Sequence, residues 1–126
     1  MSVLIDTSVW VDHFRNGNDA LVDLIEADRA LAHPMVIVEI ACGTPPAPRM
    51  QTLNTLALLQ PCKQASLSEV VDFIERERLY GLGGGLVDMS LLASTLITPG
   101  AELWTLDKRL AELAGRFGVA HRPTLH

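Results

Sequence analysis

Four carboxylates, Asp6, Glu39, Asp88 and Asp107, stand where an acid is costly unless something recruits it. Asp6 closes the apolar run Ser2-Val3-Leu4-Ile5, and Asp107 closes Leu103-Trp104-Thr105-Leu106. Both are therefore predicted at the C-terminal ends of strands, the edge at which open α/β sheets bind ligands. Glu39 is the only charge between Met35 and Cys42, and Asp88 the only one between Leu86 and Ile97. A lone carboxylate in an apolar run asks for a partner. Brought together, such acids repel one another unless a cation binds. An oxygen-only donor set without a His or Cys cluster suits Mg2+ or Mn2+ rather than zinc. These ions activate water and neutralise charge building on a phosphoryl group, so phosphodiester hydrolysis is the chemistry indicated.

Each acid also has a structural reading. Asp6 and Asp107 sit at strand-to-helix junctions, where Asp is a favoured N-cap and suits the positive end of the helix dipole. Glu39 could be the exposed residue of a buried helix, and Asp88 could belong to a first helical turn. What favours a shared site is that a parallel sheet brings two strand-end acids to one rim while two apolar helices add one acid each.

Other chemistry finds little support. There is no Gly-x-Ser-x-Gly and no Cys/His spacing suggestive of a dyad. Gly83-Gly84-Gly85 lacks the Lys-Ser/Thr ending of a phosphate loop and reads as a flexible turn giving the Asp88 helix access to the site. His13, His33, His121 and His126 are scattered and read as structural or solvent-facing. Ser66-x-x-Glu69 is a capping-box pattern, which makes Glu69 a cap. Glu75-Arg76-Glu77-Arg78 reads as a solvated helix face, with Arg76 and Arg78 available to RNA. Cys42 and Cys62, without CxxC spacing, read as buried or semi-buried free thiols.

These residues must be positioned by a chain of 126 residues, the length of one domain, able to bury roughly two thirds of the surface its unfolded form exposes. Hydrophobic residues make up 48% and mean hydropathy is +0.25, yet Asp88 and interspersed Gly, Ser, Thr and Pro interrupt the longest uncharged stretches, so no membrane span is expected. No signal peptide is read at the N-terminus, and a cytoplasmic protein is expected. A net charge of −5 opposes general nucleic-acid coating, though not a nucleic-acid enzyme whose acids are offset by local bases and bound cations.

Strands alternate with helices from end to end, which predicts an α/β fold with a mainly parallel sheet. After the first strand, helices are expected over 7–14 and 19–27, the second capped by Asn18, then a short strand over 30–33. Val36-Ile37-Val38 favours a strand by propensity whereas Pro34 suits the first turn of a helix; helix is the reading taken. Further helices are expected over 49–59, from Ser66 to about Tyr80, over 86–97 and over 108–117. Strands are expected over 60–63 and 102–106, with Val119-Ala120 a candidate edge strand.

Val3-Leu4-Ile5-Asp6-Thr7-Ser8-Val9-Trp10, Glu39-Ile40-Ala41-Cys42-Gly43, Leu86-Val87-Asp88-Met89-Ser90-Leu91-Leu92-Ala93-Ser94 and Leu103-Trp104-Thr105-Leu106-Asp107-Lys108-Arg109-Leu110, in this order and spacing, resemble the PIN-domain ribonucleases of the VapC toxin group, from prokaryotic toxin–antitoxin systems. The resemblance covers essentially the whole chain and implies a single PIN domain over residues 1–126, an α/β/α sandwich with a parallel five-stranded sheet. It implies that Asp6, Glu39, Asp88 and Asp107 converge on Mg2+ or Mn2+ as the catalytic acids, with Glu39 on a helix, and that Thr7, Ser8 and Thr105 orient the carboxylates or the water from behind. The implied reaction is endonucleolytic cleavage of structured RNA, commonly transfer or ribosomal RNA, by metal-activated water. The implied partners are a second copy of the chain and a cognate VapB-type antitoxin whose C-terminal segment covers the acidic groove. The chain departs from the pattern in the Pro45-Pro46-Ala47-Pro48 break after Glu39, and in Arg109 following Asp107 where some relatives carry a further acid.

Two other classes compete. A phosphorylated signalling receiver has similar length and binds Mg2+ through carboxylates, but it places paired acids after its first strand, where this chain has Asp6-Thr7-Ser8. A catalytically silent binding module would tolerate loss of the acids, which a nuclease assay on single Asn substitutions tests.

Overall fold

A computed structural model describes residues 1–123; the reading of His126 lies outside the described residues. In chain order the elements are β1 (Ser2–Ile5), α1 (Thr7–Asn16), α2 (Asp19–Glu26), β2 (Ala30–Ala32), α3 (Pro34–Cys42), α4 (Arg49–Ala57), β3 (Gln60–Pro61), α5 (Leu67–Glu77), α6 (Leu86–Ile97), β4 (Ala101–Trp104) and α7 (Lys108–Arg116). They form an α/β/α sandwich whose sheet is parallel throughout, in the order β3-β2-β1-β4. β1 lies inside the sheet, and its run Val3-Leu4-Ile5 is wholly buried, as expected of a parallel strand covered on both faces. After β1 the chain builds outward through β2 and β3, then returns to place β4 on the other flank of β1, in register from Ser2 opposite Ala101 to Ile5 opposite Trp104. Strand order reverses between β1 and β4. A ligand-binding crevice is expected at the carboxyl edge of that pair.

The expectation of five strands is corrected to four. Where the fifth was expected, a single parallel bridge joins Leu103 to Ala120. The Leu103 N–H donates to the Val119 carbonyl at 2.7 Å and the His121 N–H donates to the Leu103 carbonyl at 2.9 Å. The bond that would extend this ladder, from the Thr105 N–H to the His121 carbonyl, is not made among the described residues, and Pro123 beyond it has no N–H to donate.

The ambiguous 34–42 segment is a helix. Pro34 occupies its first position, where a missing N–H costs nothing, and Val36 and Ile40, four apart, turn one face to the core. Asn18 caps α2 through Leu21, and the Ser66/Glu69 capping box opens α5 as its pattern predicts. α6 is buried along seven consecutive residues, Met89 to Thr95, so its polar members must find partners inside. Thr95 Oγ1 donates to the Leu91 carbonyl at 2.7 Å, and Ser94 Oγ accepts from the Ala65 N–H at 3.1 Å. Ser90 Oγ has no partner among the described residues.

Candidate active site

Asp6 and Asp107 follow β1 and β4 directly and occupy neighbouring positions on the carboxyl edge, at the point where strand order reverses. Both act as N-caps. Asp6 caps α1 weakly, accepting from the Ser8 N–H at 3.4 Å, and Asp107 Oδ1 caps α7 by accepting from the Leu110 N–H at 3.0 Å. The structural reading of these two acids is therefore real. It occupies only part of each carboxylate.

Two hydroxyls hold Asp6 more firmly than its cap does. Ser8 Oγ donates to Asp6 Oδ2 at 2.6 Å, and Thr105 Oγ1 donates to the same oxygen at 2.8 Å. Each hydroxyl also accepts a backbone N–H from the segment after β4: Leu106 to Ser8 Oγ and Asp107 to Thr105 Oγ1, both at 3.0 Å. A buried carboxylate is thus tied through two side chains to the loop carrying Asp107, which sets the spacing of the two strand-end acids. Thr7 Oγ1 donates to Glu39 Oε1 at 2.5 Å, linking the start of α1 to α3. Thr7, Ser8 and Thr105 therefore all hydrogen-bond to members of the acidic set.

Asp88, in the first turn of α6, completes the group. Its carboxyl is pushed above the usual range, chiefly by burial and then by the negative charges of Asp6, Asp107 and Glu39, with the Gly85 backbone pulling it back in part. Four acids from four separate segments thus share one electrostatic environment. Among the described residues no Lys, Arg or His nitrogen lies within 4 Å of any of them, the only ion pair being His121 with Glu102 at 3.0 Å.

As the side chains stand, no three acidic, imidazole or thiol groups among the described residues close around a common point as an ion requires. Like charges without a cation rest apart, each on its own donors, so Coulombic reach without coordination reach is the expected arrangement. Asp6 Oδ1, Glu39 Oε2 and Asp107 Oδ2 accept no hydrogen bond among the described residues. A set of uncompensated oxygen donors with free lone pairs fits a hard divalent cation. Beside Glu39 opens a cleft of about 400 Å3 walled by Phe14, Arg15, Pro45 and Pro46, the last two from the proline break after α3.

Sequence patterns missed one supporting residue. His33 caps α3 by accepting the Met35 N–H on Nδ1 at 3.1 Å, which leaves its proton on Nε2, 3.3 Å from Ser94 Oγ of α6. One buried imidazole therefore joins the helices that carry Glu39 and Asp88. A His immediately before a helix-opening Pro was the available signal, and His is an uncommon cap. The remaining described histidines are structural: His13 Nδ1 accepts from the Asn18 N–H, and His121 packs on Trp104 beside Glu102. Glu69 is a cap and Arg76 lies over the Phe73 ring; both cysteines are free, Cys62 buried as expected, whereas Cys42, at the last position of α3, is exposed and corrects that expectation.

The profile of the PIN domain family matches residues 3–116. Over 118 residues the chain is 42% identical to a protein named Ribonuclease VapC32 from Mycobacterium tuberculosis strain CDC 1551 / Oshkosh, covering 94% of both chains, and equally so to the protein of that name from strain ATCC 25618 / H37Rv.

Proposed function

Because this chain belongs to the VapC ribonuclease family of PIN domains, we propose that it is the toxic component of a toxin–antitoxin pair and an endoribonuclease that hydrolyses structured RNA, transfer or ribosomal, with the help of Mg2+ or Mn2+. The observation that carries this reading is the convergence on Asp88 of charge from Asp6, Asp107 and Glu39, uncompensated by any nearby base among the described residues. Asp6, Glu39, Asp88 and Asp107 would hold the ion, which when bound lowers the pKa of water and neutralises charge on the phosphoryl oxygens.

The chain's own groups supply the positioning. Ser8 and Thr105 fix the Asp6 carboxylate and leave Oδ1 open; Thr7 does the same for Glu39 and leaves Oε2 open. The Asp107 cap orients its carboxylate while sparing Oδ2. Preorganised oxygens of this kind need little reordering when a ligand arrives. We read residues 1–126 as a single working domain, acting in the cytoplasm; among the described residues no helix is long and apolar enough to cross a membrane. Exposed apolar side chains, among them Leu58, Leu67, Val71 and Ile97, support surfaces that a second copy and a VapB-type antitoxin would cover.

Mapping RNA 5′ ends in cells expressing the wild-type chain or Asp88→Asn tests the proposal. One dominant cut in a transfer or ribosomal RNA, absent from the variant, is expected. Purified protein should lose cleavage in EDTA and recover it with Mg2+. Full cleavage in EDTA, or an identical cut made by Asp88→Asn, would overturn the reading.

A further inference from the structure

Gly83 adopts φ +87, and a Cβ placed on it would stand 2.3 Å from Arg109 Nη1 and 3.2 Å from Cζ. The Arg109 guanidinium therefore lies against the bare backbone of Gly83, in space that any side chain would take. Both partners adjoin the acidic set: Arg109 is two residues past Asp107, and Gly83 five before Asp88. The glycine run thus serves close approach as well as a turn. At Gly84 the approach is also tight, with a built Cβ 2.7 Å from Met89 Cε.

Two residues past Asp107 on α7, Arg109 does not face that acid, and it makes no ion pair among the described residues. Asp107 Oδ1 is turned to the Leu110 N–H. Among the described residues no carboxylate lies within 4 Å of the Arg109 guanidinium, and no carbonyl accepts from it. Its planar fork of five donors, on an exposed side chain, is left unspent among the described residues. An arginine whose role was to brace the loop would be expected to spend those donors on the loop's carbonyls. An RNA strand approaching four carboxylates meets repulsion along its whole backbone, and a guanidinium at the rim offers that backbone a bidentate hold.

We propose that Arg109, seated on Gly83, is a substrate-binding residue that grips an RNA phosphate at the rim of the acidic site. This rests on the ribonuclease reading, but concerns binding and can be measured without cleavage. The probe is labelled unfractionated transfer RNA, titrated with full-length protein in EDTA between about 50 and 200 mM KCl, the range over which phosphate contacts show in affinity. Arg109→Gln should weaken binding and reduce the slope of log affinity against log salt by about one. Arg109→Lys, which keeps the charge, should keep the slope. Arg116→Gln, at the far end of α7, controls for net charge and should behave as wild type.

With Mg2+, Arg109→Gln should raise KM about tenfold to a hundredfold, the range for a charge-assisted hydrogen bond, with a smaller change in kcat. Wild-type salt slope and KM in Arg109→Gln would overturn the proposal while leaving the ribonuclease reading intact. A lost slope in Arg109→Gln with no cleavage by any variant would sustain the Arg109 contact and sink the ribonuclease. A wild-type protein that fails to bind the probe overturns the contact outright. Melting curves accompany each variant; should Arg109→Gln melt well below wild type, the matched pair Arg109→Lys and Arg116→Gln decides, and equal salt slopes for both with a raised KM in Arg109→Lys alone support the contact, while two unchanged KM values overturn it.

Discussion

Asp107 allows capping and charge to be separated at one atom, because its Oδ1 accepts the Leu110 N–H at 3.0 Å while Oδ2 has no partner among the described residues. In Asp107→Asn the amide oxygen can take over the cap, and Asn caps about as well as Asp, so the helix should lose no more than a few tenths of a kcal/mol. Asp107→Ala removes the acceptor, at a cost of about 0.5 to 2 kcal/mol. For a chain of 126 residues the unfolding entropy near the midpoint is about 0.26 kcal/mol/K, so each ~1 kcal/mol moves Tm by about 4 °C. Scanning calorimetry in EDTA should accordingly place Asp107→Ala about 2 to 8 °C below wild type and Asp107→Asn within about 2 °C of it. RNA cleavage should not separate the two variants. Both should fall at least about tenfold, since a neutral group binds a hard cation poorly and even residues behind the ligands cost that much. Asp107→Asn that cleaves at the wild-type rate under saturating Mg2+ would show that Asp107 is a cap and nothing more.

Asp88→Asn removes the acid on which the other three converge, so it should abolish cleavage yet melt no lower than wild type in EDTA; a marked loss of stability would assign Asp88 a structural role instead. His33 is held below its ordinary pKa by burial, so the folded state resists the proton that the unfolded state accepts. Stability should therefore be flat above about pH 6.5 and decline as pH falls below it; His33→Asn, which keeps a capping oxygen, should flatten that decline, and a slope equal to wild type would refute the assignment. Burial pushes the Cys62 thiol up to about 11, whereas Cys42 is exposed, so iodoacetamide at pH 8 should add one group to the native chain, detected at Cys42 by mass spectrometry. Two adducts under native conditions would contradict the buried placement.

Double use of the strand-end acids explains why their two readings could not be separated in the sequence. An Asp between a strand and a helix satisfies the cap rule whatever else it does, and in Asp6 and Asp107 the cap takes only part of the carboxylate. Ser8 and Thr105 were legible as polar positions near the acids. Their shared grip on Asp6 Oδ2 was not, because they lie 97 residues apart and meet only when β1 and β4 are neighbours. The glycine run was legible as a turn, but the close approach at Gly83 depends on where α7 lays Arg109.

By itself the sequence determined what rests on short-range chemistry: the alternation of strands and helices, the caps at Asn18 and Ser66, the buried α6, and four acids as candidates for a shared site. Tertiary structure alone decided what rests on which strand lies beside which. It held the expected fifth strand to a single bridge between Leu103 and Ala120. It joined the helices carrying Glu39 and Asp88 through the buried pair His33 and Ser94. It also brought four carboxylates from residues 6 to 107 into one field, visible in the Asp88 carboxyl. Periodicity and capping act over a few residues and can be read along the chain, whereas electrostatic coupling falls with distance in space and exists only once the chain has folded back on itself.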